Sequence, residues 1–497
     1  MIGPLGRSTV LETRKGLPKG VCCTKCHSQH QIPNTRVVGT LLFYLPLLIM
    51  MNREYTIPEI YQCYLDCGMQ VSTDSRNVEP HSLFIALKGD RFDGNQYALS
   101  ALEKGAKYAI VSDPTLACEE GCYYVADTLK ALQGLARHHR QQFQIPVIAI
   151  TGTNGKTTTK ELLAAIMQEV GPCLYTQGNL NNHIGVPLTL LRLRTEHTSA
   201  IIEMGASKPG DIKELVEIAE PTLGLITNIG KAHLEGFGSQ EGILATKSEL
   251  FDYLTAHHHP FVLNLDDPLL SAKWDTGNCT SYGTKLHNRP HYMRGQVISN
   301  GPLLALQVES SGQSLEVQTH LVGNYNTHNV LAALSLATSI GVDLQLAIKG
   351  VERYQPANHR SQLISGTEAR RIIADAYNAN PSSMMVALQN LLNTSAAHKM
   401  AILGDMKELG TASRSEHLAL IHWLEQHPQI TPLLCGEELC QVAGSEMRSF
   451  ANTEALLHYL KNDIAPLEAD TLILLKGSHS TALEKALPTL QQLINAQ

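Results

Sequence analysis

At 497 residues, of which 43% are apolar and 17% charged, the chain is long enough for two to four domains and too apolar to stay unfolded. Thirty-nine basic against 46 acidic residues leave a net charge of −7 with no long run of either sign. That balance excludes an electrostatic basis for binding nucleic acid or an anionic membrane, so small molecules are the expected partners. Eleven cysteines, scattered without a regular framework, imply reduced thiols, no structural disulfides and a cytoplasmic setting.

Residues 1–50 are irregular and basic, with Cys22, Cys23, Cys26 and His27 clustered. The apolar run from Gly39 to Met51 is broken by Pro46 and is too short to span a bilayer, so no stable membrane insertion is expected. It also comes too late for a signal peptide. Cys23-Thr24-Lys25-Cys26-His27 has the spacing of a haem attachment site, but that chemistry needs export and four ligands are usual for a structural zinc. A disordered extension ahead of a true start at Met51 is the expectation.

Beyond Met51, short apolar runs at Ser82–Leu87 and Tyr108–Val111 read as strands of a first mixed α/β domain, residues 51–144. Pro146–Ile150 is a buried-type strand that meets a Gly-rich turn. Leu162, Leu163, Ile166, Met167 and Val170 then recur at helical spacing. Ala200–Ile202 precedes a helix at Asp211–Ala219, and Leu223–Ile226 precedes one at Glu241–Leu254. This alternation predicts a doubly wound parallel sheet for a central domain, residues 145–354. Near residues 290–320 the period changes to two, with turns at Asn300-Gly301 and Ser311-Gly312, which predicts a small antiparallel patch appended to it. From Tyr354 the alternation restarts through Ile372–Ala374, Met400–Leu403, Pro432–Leu434 and Leu472–Leu475, a third, Rossmann-like α/β domain over residues 355–497.

Gly152-Thr153-Asn154-Gly155-Lys156-Thr157-Thr158 lies between a strand and a helix, the context in which backbone N–H groups converge on phosphates. Gly152 and Gly155 permit close backbone approach, Lys156 has the reach for β- and γ-phosphates, and the Thr157 hydroxyl suits Mg²⁺. Ile150 stands where the strict six-position motif has its first glycine. Ligands of open α/β sheets sit beyond the carboxyl ends of the strands. Glu203 ends one strand there, and Thr227, Asn228 and His233 follow another. A carboxylate, hydroxyls and an imidazole so placed suit magnesium on a nucleotide. From spacing alone Glu203 also fits a helix cap, and His233 a surface histidine.

With these stretches, the chain resembles the Mur ligase family from Met51 to Gln497. The resemblance is carried by Thr73–Arg76, Phe84–Gly89, Gly152–Glu161, Gly178–Pro187, Glu203–Gly205, Thr227–Glu235, Lys247–Leu250, Asp375–Pro381 and Leu403–Met406. It implies a three-domain enzyme with a central P-loop-type domain, using ATP to make an acyl phosphate that an amine then attacks. Within the family the resemblance is to the branch that adds D-alanyl-D-alanine to UDP-N-acetylmuramoyl-tripeptide in peptidoglycan precursor synthesis. It further implies that Lys156 and Thr157 serve the triphosphate and a first Mg²⁺ joined by Glu203, and that His233 with Lys247 serves a second. Asn326 and Asn329 would meet adenine, and Arg360 and Asp375 the ribose. Ser75 and Arg76 would hold the uridine diphosphate portion, and Asn182, Asn378 and Asn380 would belong to the substrate sites.

Lys247 stands at the position that the family carbamylates; as an ammonium it has donors only and cannot ligate a metal, whereas a carbamate made with CO₂ offers two oxygens. A surface lysine paired with Glu249 is the plain alternative, as a turn-capping residue is for Asp375. Tyr325 and His479 depart from the histidine and arginine common at those places in the family.

Asn378-Ala379-Asn380-Pro381-Ser382 lacks the arginine with which the branch adding the third residue grips a diamino acid. Thr157-Thr158-Thr159 differs from the Gly-Ser that follows the loop lysine in folylpolyglutamate synthases. A nucleotide-binding scaffold that had lost its chemistry would have no use for Lys156, Glu203, His233 and Lys247 together. A monomer is expected. A chain beginning at Met51 should retain full ligase turnover, measured as ADP release against the complete chain.

Overall fold

The structure, a computed structural model, describes residues 53–90, 92–231, 234–277, 279–299, 302–356 and 361–496. The expectations for residues 1–50, including the cysteine cluster, lie outside the described residues. All three α/β domains belong to one unit, Glu54–Gln497.

The first domain is built on four parallel strands in the order Val71–Ser72, Leu83–Ile85, Tyr108–Val111 and Cys122–Tyr124. Its helix Thr128–Arg140 starts where the Asp127 carboxylate accepts from the N–H groups of Leu129 and Lys130, satisfying donors that have no partner inside the helix. The central sheet has nine strands. Val147–Thr151 lies between Ser199–Glu203 on one side and Leu223–Ile226 on the other, all parallel, and every residue of Val147–Thr151 is buried, as expected of a strand covered on both faces. Chain order reverses around this strand, so a crevice opens beyond its carboxyl end.

The period-two segment forms the antiparallel strands expected of it, joined to the central sheet. Tyr292–Val297 pairs in parallel with Thr280–Gly283 and antiparallel with Leu303–Ser310, which in turn pairs antiparallel with Gln313–Val322. The patch is continuous with the main sheet because the free hydrogen-bonding edge of Thr280–Gly283 accepts a further strand. Ser311 and Gly312 make the tight turn with φ of 51° and 79°, the twist that a two-residue hairpin needs. The third domain has six strands, the parallel ones ordered Arg371–Asp375, Thr471–Lys476, His398–Gly404, Ile430–Cys435 and Arg448–Phe450, with Gln362–Ser365 antiparallel at one edge. Among the described residues no helix is long and apolar enough to cross a membrane, and their eight cysteines are free thiols.

One apolar core runs without interruption from the first domain (Ile60, Leu83, Leu132) into one face of the central sheet (Val147, Leu190, Phe251). His139 is buried at that junction. Its Nε2 lies 3.1 Å from the Leu193 carbonyl and its Nδ1 lies 3.3 Å from the Tyr61 hydroxyl. The Tyr64 hydroxyl donates to the Leu191 carbonyl at 2.5 Å. Burial lowers the His139 pKa, and the charges of Arg194 and His138 push the same way. The unfolded chain therefore binds a proton at this residue at higher pH than the folded one, and stability falls as pH drops below the ordinary histidine range near 6.5. Melting temperatures at about pH 7.5 and 5.5 should differ less for His139→Gln than for the unaltered chain.

Candidate functional site

The loop after Val147–Thr151 is held by a dense set of hydrogen bonds from the neighbouring strand end. Thr153 N–H donates to the Asn228 carbonyl at 2.9 Å and Asn154 N–H to Asn228 Oδ1 at 3.1 Å. The Asn154 carbonyl accepts from Thr227 Oγ1 at 2.7 Å and Asn228 Nδ2 at 3.0 Å. Gly230 N–H donates to Thr153 Oγ1 at 2.9 Å. Two glycines make this packing possible. At Gly152, with φ of 138°, a Cβ would sit 1.9 Å from Thr227 Oγ1, and at Gly155, with φ of 81°, 2.1 Å from Asn329 Oδ1. Gly155 offers no side chain to cap the helix Lys156–Gln168, the arrangement that favours a phosphate at its N-terminus. Lys156 curls back so that Nζ donates to the carbonyls of Gly152 at 2.9 Å and Thr153 at 3.1 Å.

Glu203 is buried at the end of its strand and caps no helix. Its Oε1 accepts from Asn181 Nδ2 at 2.9 Å, while Oε2 is buried without a partner. A carboxylate oxygen left unpaired in a buried cleft wall suits a cation. Lys247, on the helix Gln240–Ala256, is 3% exposed. Among the described residues it has neither a hydrogen bond nor an ion pair; its ammonium lies 5.9 Å from the Phe237 ring centre. Glu249 accepts from the N–H groups of Gly210 and Lys213 instead, so the surface-pair alternative for Lys247 does not hold. Burial pushes the Lys247 amine well below the usual lysine range, and Lys156 pushes it the same way. A neutral amine is the form that adds CO₂. The Glu203 carboxylate and the Thr157 hydroxyl, both on the cleft wall, are oxygen donors of the kind Mg²⁺ takes. His233 lies outside the described residues.

The loop and Glu203 face a cleft of about 1310 Å³ that is also lined by Asn326, Asn329, Asp375, Asn378 and Asn380. Asn326 and Asn329 are tied to one another: Asn329 Nδ2 donates to Asn326 Oδ1 at 2.8 Å, and Asn326 Nδ2 to the Val322 carbonyl at 2.8 Å. Asp375 is paired with the buried Lys476 at 2.6 Å, and Lys476 also donates to the Asn378 carbonyl at 3.3 Å. Asp375 is therefore the partner of a buried ammonium, which the turn-capping alternative left out. Arg360 lies outside the described residues. Tyr325 donates to or accepts from Ser361 Oγ at 2.6 Å, with burial raising its pKa. His479 stacks on Tyr377 with ring centres 5.9 Å apart.

Asn182 also lines the cleft and caps the helix Gly185–Leu190, its Oδ1 accepting from Ile184 and Gly185 N–H. Ser75 and Arg76 do not line this cleft. Ser75 is buried, its carbonyl accepting from Lys104 at 2.7 Å, and the exposed Arg76 is paired with Asp74 at 2.7 Å. Three residues of the site went unnoticed in the sequence: Asn181, which orients Glu203; Thr176, whose Oγ1 accepts from Glu203 N–H at 3.0 Å; and Lys476. Asn181 sits in the Asn179–Asn182 run, whose richness in asparagine was the available signal.

Comparison with known proteins finds family models for the Mur ligase catalytic domain over residues 69–140, the Mur ligase middle domain over 150–337, and the Mur ligase glutamate ligase domain over 359–479. The UDP-N-acetylmuramoyl-tripeptide--D-alanyl-D-alanine ligase of Escherichia coli (strain K12) is 36% identical over 436 residues, 85% of this chain and 93% of the relative. A crystal structure of MurF from Acinetobacter baumannii superposes with a TM-score of 0.77 at 33% identity, covering 85% of this chain and 93% of that one. The MurF ligase from Thermotoga maritima, solved in complex with ADP, gives 0.75 at 26% identity, covering 86% and 97%.

Gly155→Ala should destabilise the chain by about 1–3 kcal/mol through the left-handed backbone and the collision with Asn329, and ATP-dependent turnover should be lost with it. Gly178→Ala, where φ is 56° and a Cβ would meet nothing within 4 Å, should show only the smaller backbone penalty. Melting curves and ADP release on both variants check this.

Proposed function

The chain belongs to the Mur ligase family, and we propose that it is the ATP-dependent ligase joining D-alanyl-D-alanine to UDP-N-acetylmuramoyl-tripeptide. The observation that carries this reading is one cleft in which an uncapped phosphate-loop helix and a carboxylate with an unpaired buried oxygen face a wall from the third domain. The terminal phosphoryl group of ATP passes to the tripeptide carboxylate, the dipeptide amine attacks the acyl carbon, and phosphate leaves with ADP as the other product. Both steps gather negative charge that only cations and oriented N–H groups offset.

In this reading the loop N–H groups and Lys156 hold the triphosphate. Thr157 and Glu203 hold one Mg²⁺, and His233 with a carbamylated Lys247 holds a second. Bound there, magnesium would neutralise phosphate charge. Glu203 is kept in place by Asn181 and Thr176, so its free oxygen needs no reorganisation when a cation arrives. Asn326, Asn329, Arg360 and Asp375 form the nucleoside end, with Lys476 holding Asp375. Ser75 and Arg76, set apart from the cleft, serve the uridine diphosphate portion, and Asn182, Asn378 and Asn380 lie along the substrate path. The domains are assigned to residues 51–144, 145–354 and 355–497, with the enzyme working as a cytoplasmic monomer where ATP and nucleotide-linked precursors are found.

ADP release should require UDP-N-acetylmuramoyl-tripeptide and D-alanyl-D-alanine together; steady release with either absent would contradict the assignment. Lys247→Ala should lower turnover about a hundredfold, the loss typical of removing one electrostatic contributor, and a short carboxylate such as acetate should restore part of it. Near-normal turnover of Lys247→Ala in buffer depleted of CO₂ would remove the carbamate.

A further inference from the structure

From the sequence, Asn380 is expected among the substrate-site residues. In the structure its side chain is committed at both ends. Oδ1 accepts from Ser383 N–H at 2.8 Å and Ser383 Oγ accepts from Asn380 N–H at 3.1 Å, so Asn380 caps the helix Pro381–Asn393 reciprocally. The other end, Nδ2, donates to Asn154 Oδ1 at 2.8 Å, across 226 positions of sequence. Asn154 is the phosphate-loop residue whose own N–H and carbonyl are both tied to Thr227 and Asn228, so its side-chain oxygen is a fixed acceptor. One residue beyond the helix start, Ser382 Oγ accepts from Lys231 N–H at 3.2 Å. Asn380 is only 7% exposed, which shields the amide–amide bond from competing water.

We propose that Asn380 is a positioning residue that ties the third-domain wall of the cleft, where the dipeptide would sit, to the phosphate loop through Asn154, and thereby couples nucleotide binding to dipeptide binding. The coupling rests on the ligase reading above. Its physical basis is that the same loop meets the phosphates with its backbone and the third domain with the Asn154 side chain. Contact of the nucleotide with the loop thus reaches the first turn of Pro381–Asn393 through one hydrogen bond. Coupling between two sites is reciprocal: whatever factor the nucleotide contributes to dipeptide affinity, the dipeptide contributes to nucleotide affinity.

Asn380→Ser and Asn380→Asp separate the two roles, since both residues cap helices as well as asparagine does but neither offers the amide donor that reaches Asn154. Dissociation constants should be measured for D-alanyl-D-alanine and for a non-hydrolysable ATP analogue, each with the other at saturation and the muramoyl tripeptide nucleotide present. With melting temperature retained, both constants should rise by the same factor, about tenfold for a coupling of ordinary size, and Asn154→Ala should add nothing to Asn380→Ser. A rise confined to the dipeptide would make Asn380 a direct substrate contact and overturn the proposal, as would unchanged constants. Hydrogen exchange supplies a reading that needs no dipeptide: ADP should slow exchange of the amides in 381–386 in the unaltered chain and not in Asn380→Ser. If the unaltered chain binds no dipeptide, the ligase assignment fails, and the exchange experiment still decides the tie to the loop.

Discussion

The whole site depends on the close packing of one turn. Between Thr151 and Lys156 the backbone is wedged between the Thr227–Asn228 strand end and the Asn326–Asn329 pair, with room for no side chain at Gly152 or Gly155. Asn228 meets the loop with its carbonyl, its Oδ1 and its Nδ2, and these bonds leave the loop little conformational freedom. A loop ordered in advance forfeits less entropy when phosphates arrive and keeps its N–H groups aimed without reorganisation. The parallel sheet makes this possible by placing Leu223–Ile226 directly beside Val147–Thr151, in register from Leu223 opposite Ile148 to Ile226 opposite Thr151.

Around that turn the protein buries charge in an uneven pattern. Lys160 and Lys476 are as deeply buried as Lys247, yet each is fully engaged: Lys160 with Glu161 and the Thr176 carbonyl, Lys476 with Asp375 and the Asn378 carbonyl. Burial of an ammonium is tolerable when a partner replaces its water. Lys247 has no such replacement among the described residues, and Glu203 Oε2 is, with Asp266 Oδ1 and Glu484 Oε2, one of three buried carboxylate oxygens among them without a partner. A buried polar group without a partner is uncommon and calls for an explanation, and Glu203, unlike Glu484, lines the cleft. Asn181 and Thr176 have the complementary task of holding Glu203 in place.

The third domain meets the central one through polar contacts, Asn380 to Asn154 and Ser382 to Lys231, with the Lys231–Glu416 ion pair at 3.2 Å, and through Val322 of the central sheet, which packs into the third domain's core. The first domain instead shares an apolar core with the central sheet. Polar contacts can be made and broken with little loss of buried apolar area, whereas a shared core cannot. The shared apolar core is thus extensive at the first junction, while at the second it is Val322 that joins the third domain's core.

By itself the sequence determined the strands and helices whose patterns are local. Apolar runs such as Leu223–Ile226 and Tyr108–Val111, and the helix Asp211–Ala219, are read from hydrophobic period alone, because burial of one face or two is written into neighbouring residues. The phosphate loop was equally legible, since glycine, lysine and hydroxyl must follow one another within one turn, and the long series of family motifs carried the rest of the assignment. Only the tertiary structure decided which polar side chains are spent on the protein and which are left for ligands. Asn380 and Asn378 look alike in sequence, yet one grips Asn154 and the other stands exposed at the cleft. Glu203 finds Asn181 and Thr176 only because separate strand ends converge, and Lys247 differs from Lys160 only in what folds over it. Partners at such separations are set by sheet order and register, and spacing along the chain carries no record of them.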